Sequence, residues 1–328
     1  MKKLLIVVVV LGCLLMLARL IGPSILERSQ NHTLRPGPYH VSAGAEALHR
    51  TLLVADLHTD TLLWGRDILS PSRAGHIDLP RLVDGNVGIQ GFTVFSTIPR
   101  GINIDRNEDK TDLVPYIGML QGWPLKTLGH PKQVALYQAQ RLRAFVDKSN
   151  GGLMLLRTHG DLVKFLQQRQ AGSHAVAALL GTEGAQPLEG KLPNLDELYA
   201  AGFRMMSPSH FTDTAVGGSA AGASKGGLTA LGREWVKRME ARGMLIDVGV
   251  VGAAHVGLGS DFDGAVTEPF DPSGLALITE ALLQQGLSEH DIQLVMGENA
   301  GVRADSAGIV AFCHRGTENT EFASPSLF

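Results

Sequence analysis

Short apolar runs that close on polar residues recur along this chain. Residues 52–55 lead into Asp56, His58 and Asp60, and residues 87–96 (VGIQGFTVFS) are apolar nearly throughout. Residues 173–181 (SHAVAALLG) close on Thr182 and Glu183, and residues 203–207 close on Pro208, Ser209 and His210. Residues 244–248 form a further run, and residues 256–264 (VGLGSDFDG) carry Asp261 and Asp263. Runs this short, bounded by turn residues, predict buried strands. Helical spacing falls between them. In residues 131–148 it is set by Val134, Leu136, Leu142, Phe145 and Val146, and residues 195–201, 228–242, 273–285 and 289–296 also read as helices. A short helix is expected at 45–50, and another after the Pro-bounded turn in 76–86. Residues 97–130, with Pro99, Pro115 and Pro124, read as irregular, part of them a long loop over the barrel.

Apolar strands alternating with helices predict an α/β fold of the β/α (TIM-like) barrel type. In such a barrel the C-terminal strand ends converge on one face. His58, Asp60, Glu183, His210 and Asp261 all sit at such ends. His58 and Asp60 are two apart, so an extended strand points both side chains the same way. An imidazole and a carboxylate so placed can share one divalent metal.

Two regions fall outside this pattern. Residues 4–22 form one apolar run behind Lys2 and Lys3, interrupted by Arg19, and approach the ~20 residues that span a bilayer. The run is expected to be a transmembrane anchor or signal, read here as an uncleaved anchor standing off the body. The two lysines would keep the N-terminus cytoplasmic and the catalytic domain extracytoplasmic, periplasmic or extracellular. Residues 23–45 read as a tether, 46–303 as the barrel domain and 304–328 as a polar tail. A net charge of −3 argues against nucleic acid, and the two cysteines, Cys13 and Cys313, offer no disulfide within the barrel. An oligomer is compatible with the sequence.

The motifs together resemble the membrane dipeptidase (renal dipeptidase-like) family. They are Asp56-x-His58-x-Asp60, Glu183-Gly184, Gly202-x-Arg204 leading to His210, the stretch from Gly243 to Asp247, Gly259-Ser-Asp-Phe-Asp-Gly264, and Gly297-x-Asn299 leading to Arg303. The resemblance implies a zinc-dependent barrel enzyme that hydrolyses dipeptides at a two-zinc centre. It implies that His58 and Asp60 hold the first zinc and that Glu183 bridges both. His210 then contacts the substrate or polarises its carbonyl, and Asp261 is the acid/base. Asp56 and Asp263 are expected to support these residues rather than bind metal.

The chain departs from the family after Asp247. The Ser-His there, the next histidine and a substrate-gripping arginine are absent. His255 begins a strand at the wrong end to replace them, while His76 and His159 lie in segments that can fold over a site. Only residues 249–255 separate two expected parallel strands, whereas a parallel crossover takes roughly a dozen residues. An internal deletion of about two βα units is therefore expected, leaving an incomplete barrel. At most one tightly bound zinc follows, with little or no dipeptidase activity. Three functional readings stand: a membrane-anchored zinc dipeptidase, an impaired or inactive remnant of one, and a mononuclear amidohydrolase-type hydrolase.

Overall fold

The computed structural model describes residues 2–247 and 257–299. The chain opens with helix α1 (Lys2–Gln30), which continues through Pro23. A strand pair, β1 (His32–Thr33) with β8 (Thr267–Glu268), then ties the N-terminal segment to the far end of the barrel domain. Helix α2 (Ala43–Thr51) starts where the Ser42 side chain accepts a hydrogen bond from the Ala45 N–H.

The sheet strands are β2 (Val54–Asp56), β3 (Val87–Val94), β4 (Leu153–Leu155), β5 (Val176–Thr182), β6 (Phe203–Met206) and β7 (Leu245–Ile246). They pair in parallel in the order β2-β3-β5-β6-β7, with β4 also on β5. Every residue of β3 and β5 is buried, which is why both read as continuous apolar runs. Helices α3 (Leu79–Asp84), α4 (Val114–Gln121), α5 (Pro131–Lys148), α6 (His159–Gln170), α7 (Asn194–Ala200) and α8 (Ala230–Ala241) fall between the strands. Helices α9 (Ala276–Gln284) and α10 (Glu289–Gln293) follow, and α9 lies against α2 through a hydrogen bond in which the Thr279 hydroxyl donates to His49 Nδ1.

The sheet curls into a parallel half-barrel. Beyond β2, Leu258 bridges to Asp56 and Phe262 to Thr59, both in parallel. The Leu258–Phe262 stretch thus flanks one edge of the sheet and β7 forms the other. Among the described residues no pairing joins these two edges. The expected deletion junction and His255 lie outside the described residues, as do residues 300–328, which include the tail.

The structure corrects the reading of several segments. Residues 23–30 are helical, and their last turns dock on the body: Glu27 is buried, and Leu26 packs with Trp64, Val114 and Trp123. The helix therefore does not simply stand off the globular part. Among the described residues no helix is long and apolar enough to cross a membrane. The irregular stretch 97–130, read in part as a loop, contains α4, and β4 and α6 occupy residues that the hydrophobic pattern left blank.

Candidate metal centre

Burial and backbone pairing set the floor of the site. The Thr59 hydroxyl donates to the Phe262 carbonyl at 2.6 Å, and the Asp60 N–H donates to the same oxygen at 3.0 Å. Thr93, on β3, donates its N–H to Thr59 O and its hydroxyl to Asp60 Oδ1, at 2.9 and 3.0 Å. Three strands are thereby locked together where His58 and Asp60 emerge. Asp56 accepts from Ser260 N, Ser260 Oγ and Gln90 Nε2, at 2.9, 2.7 and 3.0 Å. It binds the end of β2 to the turn that carries Asp261, as a supporting residue should.

Glu183 follows β5 directly, with its N–H donating to Val94 O at 2.9 Å. Gly184 turns the chain there with φ of 91°, a conformation that favours glycine. The Ser207 hydroxyl accepts from the Gly184 N–H at 2.6 Å, fixing the end of β5 to the end of β6. His210, just past β6, packs its ring against Phe211 and Phe95, with centroids 4.0 and 6.1 Å away.

All five strand-end residues expected at the site converge. From His58 Nε2, the nearest carboxylate oxygens are Asp261 Oδ1 at 3.4 Å, Glu183 Oε1 at 3.6 Å and Asp60 Oδ2 at 3.8 Å. His210 Nε2 lies 3.2 Å from Glu183 Oε1. The side chains of His58, Asp60 and Glu183 are only 3–4% exposed, whereas those of Asp261 and His210 are 17% and 16% exposed. Burial, and secondarily the neighbouring Glu183 charge, push the Asp60 carboxyl up to about 6. Three carboxylates around one buried imidazole repel one another, and a divalent cation relieves that repulsion. His58, Asp60 and Asp261 offer ligand atoms all within 4.8 Å of one another. The donor set of one imidazole with hard oxygens suits zinc or a similar divalent ion.

The geometry places Asp261 within the metal-capable group, beyond the acid/base role the motifs imply for it. His76 goes elsewhere: its Nδ1 accepts from Asp263 N at 3.0 Å and its Nε2 meets His32 O at 3.0 Å. His159 lies exposed at the start of α6. Sequence reasoning missed Thr93 and Arg66. Thr93 sits inside an apolar run, and Arg66 lies in a segment with no periodic pattern.

The sequence model of the membrane dipeptidase family (peptidase family M19) matches residues 42–251 and 248–304. The chain belongs to the membrane dipeptidase family. The two matched pieces of this family member meet at 248–251, where its sequence departs from the expected pattern. It is similar to dipeptidase tcpJ of Claviceps purpurea, 24% identical over 177 residues, which are 53% of this chain and 36% of that protein. The match thus spans little more than a third of the length of that curated relative. Two solved structures share the fold. One is a metallopeptidase from Rhodobacter sphaeroides bound to a phosphinate mimic of L-Ala-D-Ala, with TM-score 0.61 and 18% identity over 79% of this chain and 100% of that one. The other is the probable dipeptidase PvdM from Pseudomonas aeruginosa, with TM-score 0.62 and 16% identity over 80% and 97%.

Proposed function

We propose that this chain is a membrane-anchored dipeptidase that holds a single zinc ion tightly and turns over dipeptides slowly or not at all. The observation that carries the reading is the convergence of His58, Asp60, Glu183 and Asp261 on one buried point, supported by family membership. His58 and Asp60 would hold the metal, and Glu183 would close the site from β5. A bound zinc ion supplies Lewis acidity, lowering the pKa of water and polarising a carbonyl. Asp261 and His210 are the two open members of the group, so they face the substrate. Asp261 takes the proton from the attacking water and passes it to the leaving amine. His210, oriented by Glu183 and the flanking rings, donates a hydrogen bond toward the scissile carbonyl oxygen.

The impaired reading has its own support. Among the described residues, no group of three or more metal-capable side chains lies outside the His58 cluster. The family's second pair of histidines has no counterpart in the sequence after Asp247. A second metal would have Glu183 and His210 within reach and little else, fewer than the usual three protein ligands. Loss of the segment after Val248 accounts for the missing ligands, the missing arginine and the sheet edges that no pairing joins among the described residues. Elemental analysis of a His58→Ala variant beside the parent tests the site: the parent retains metal through dialysis and the variant does not.

The anchor rests on sequence and exposure. In α1, Ile6, Val7, Val9, Val10, Met16, Leu17, Leu20 and Ile21 are exposed, an arrangement water disfavours and lipid does not. With Lys2 and Lys3 held in the cytoplasm, the catalytic domain is extracytoplasmic. Fractionation tests this, since recovery of the intact chain in a detergent-free soluble fraction contradicts it.

A further inference from the structure

The turn that carries Asp261 is held by residues remote from the metal site. Asp261, Asp263 and Ala265 have φ of 60°, 67° and 61°, a left-handed conformation in non-glycine residues. Each is disfavoured by roughly 1 kcal/mol or more, so the surroundings must impose the turn.

Asp263 is the point of attachment, and it is fully buried. Its carboxylate accepts from the Arg66 guanidinium, from the His76 N–H, and from the Ile77 N–H at 3.3 Å. Its own N–H donates to His76 Nδ1 at 3.0 Å, and its carbonyl accepts from the Trp64 indole at 2.6 Å. Arg66 spreads its remaining donors over the Ile77 carbonyl, the Thr61 hydroxyl at 2.9 Å and Glu27 Oε1 at 2.5 Å. Glu27 comes from the last turns of α1, and its side chain is only 3% exposed. Two carboxylates thus share one buried guanidinium. Removing either leaves donors of a buried cation without their acceptor, a costly arrangement.

We propose that Glu27 is a positioning residue for the catalytic turn: through Arg66 and Asp263, the base of the N-terminal helix holds Asp261 in place beside His58. The last turns of α1 are therefore part of the active-site scaffold, and the anchor and the metal centre are mechanically joined. The functional weight of this link rests on the role given to Asp261 above.

Hydrogen–deuterium exchange on the full chain in detergent tests the link, comparing the parent with Glu27→Ala, Glu27→Gln and Glu27→Asp. The expected result in Glu27→Ala is exchange about tenfold faster or more in peptides covering 258–266, as follows from losing one charged hydrogen bond. Peptides covering 176–182 in β5 keep the parent rate. Glu27→Gln shows a smaller acceleration, and Glu27→Asp restores part of the protection. Unchanged exchange in 258–266 overturns the proposal, and so does equal acceleration in 176–182, which marks general loosening. Co²⁺ titration of the same samples, read by its visible absorption, separates the two readings. A parent that binds no Co²⁺ contradicts the metal centre, while the exchange data still decide the role of Glu27.

Discussion

Asp56 accepts two hydrogen bonds from Ser260, one from its N–H and one from its hydroxyl, at 2.9 and 2.7 Å. This contact joins the strand that presents His58 to the turn that presents Asp261. Asp56→Ala strands the Ser260 and Gln90 donors in a buried site, at a cost of about 3 kcal/mol. Urea unfolding is expected to show that loss, and metal retention through dialysis is expected to fall with it. Full stability in Asp56→Ala would show that the contact is dispensable.

A second prediction concerns Gly91, in the middle of β3. A Cβ added there would lie 2.2 Å from the Leu57 carbonyl oxygen and 2.7 Å from Leu57 Cα. Both are backbone atoms of the residue before His58, so no rotamer change relieves the clash. Gly91→Ala is expected to destabilise the fold by about 3 kcal/mol or more and to shift His58. Chemical denaturation measures the first effect and Co²⁺ absorption the second.

The positions of these residues were legible in the sequence to an unequal degree. His58, Asp60, Glu183, His210 and Asp261 each follow an apolar run, so strand ends and barrel geometry brought them together on paper. The supporting residues were not legible in this way. Arg66 meets Glu27 and Asp263 through the fold alone, and no local spacing announces such a contact. Residues 23–45 read as a tether because Pro23, Pro36 and Pro38 fall among scattered polar residues. The first helix continues to Gln30 because Glu27 is buried and Leu26 packs half-buried on the body. Helix α4 was hidden by Pro115, which sits in its first turn, where the missing N–H costs little. Helix α6 buries only Leu162 and Phe165, too few to set a period, although Thr158 and Asp161 form a capping box.

The pH dependence of stability should carry the mark of His49. Its ring is buried, with Nδ1 2.9 Å from Thr279 Oγ1 and Nε2 3.0 Å from Gly85 O. Burial holds its pKa below the ordinary value of 6.5. The unfolded chain therefore binds the proton first, and stability falls as pH drops below 6.5 toward the folded-state value. Melting curves between pH 7.5 and 5 are expected to show this decline, with a shallower slope in His49→Gln. An identical slope in the variant would assign the decline to other groups.

Metal should stabilise the folded chain by mass action, since the ligands converge only in the native state. Saturation at a thousandfold excess over Kd is worth about 4 kcal/mol. EDTA is expected to lower the melting temperature of the parent and to leave that of His58→Ala unchanged. Equal sensitivity in both would place the metal elsewhere.

The most direct measurement is zinc content after dialysis, taken on the same sample as a dipeptide-hydrolysis assay. The account predicts one zinc ion per chain, held by His58 and Asp60 with Glu183 and Asp261 beside them, and slow or absent dipeptide turnover. Two zinc ions per chain with rapid turnover would contradict it, and would mean that a residue outside the His58 cluster completes a second site.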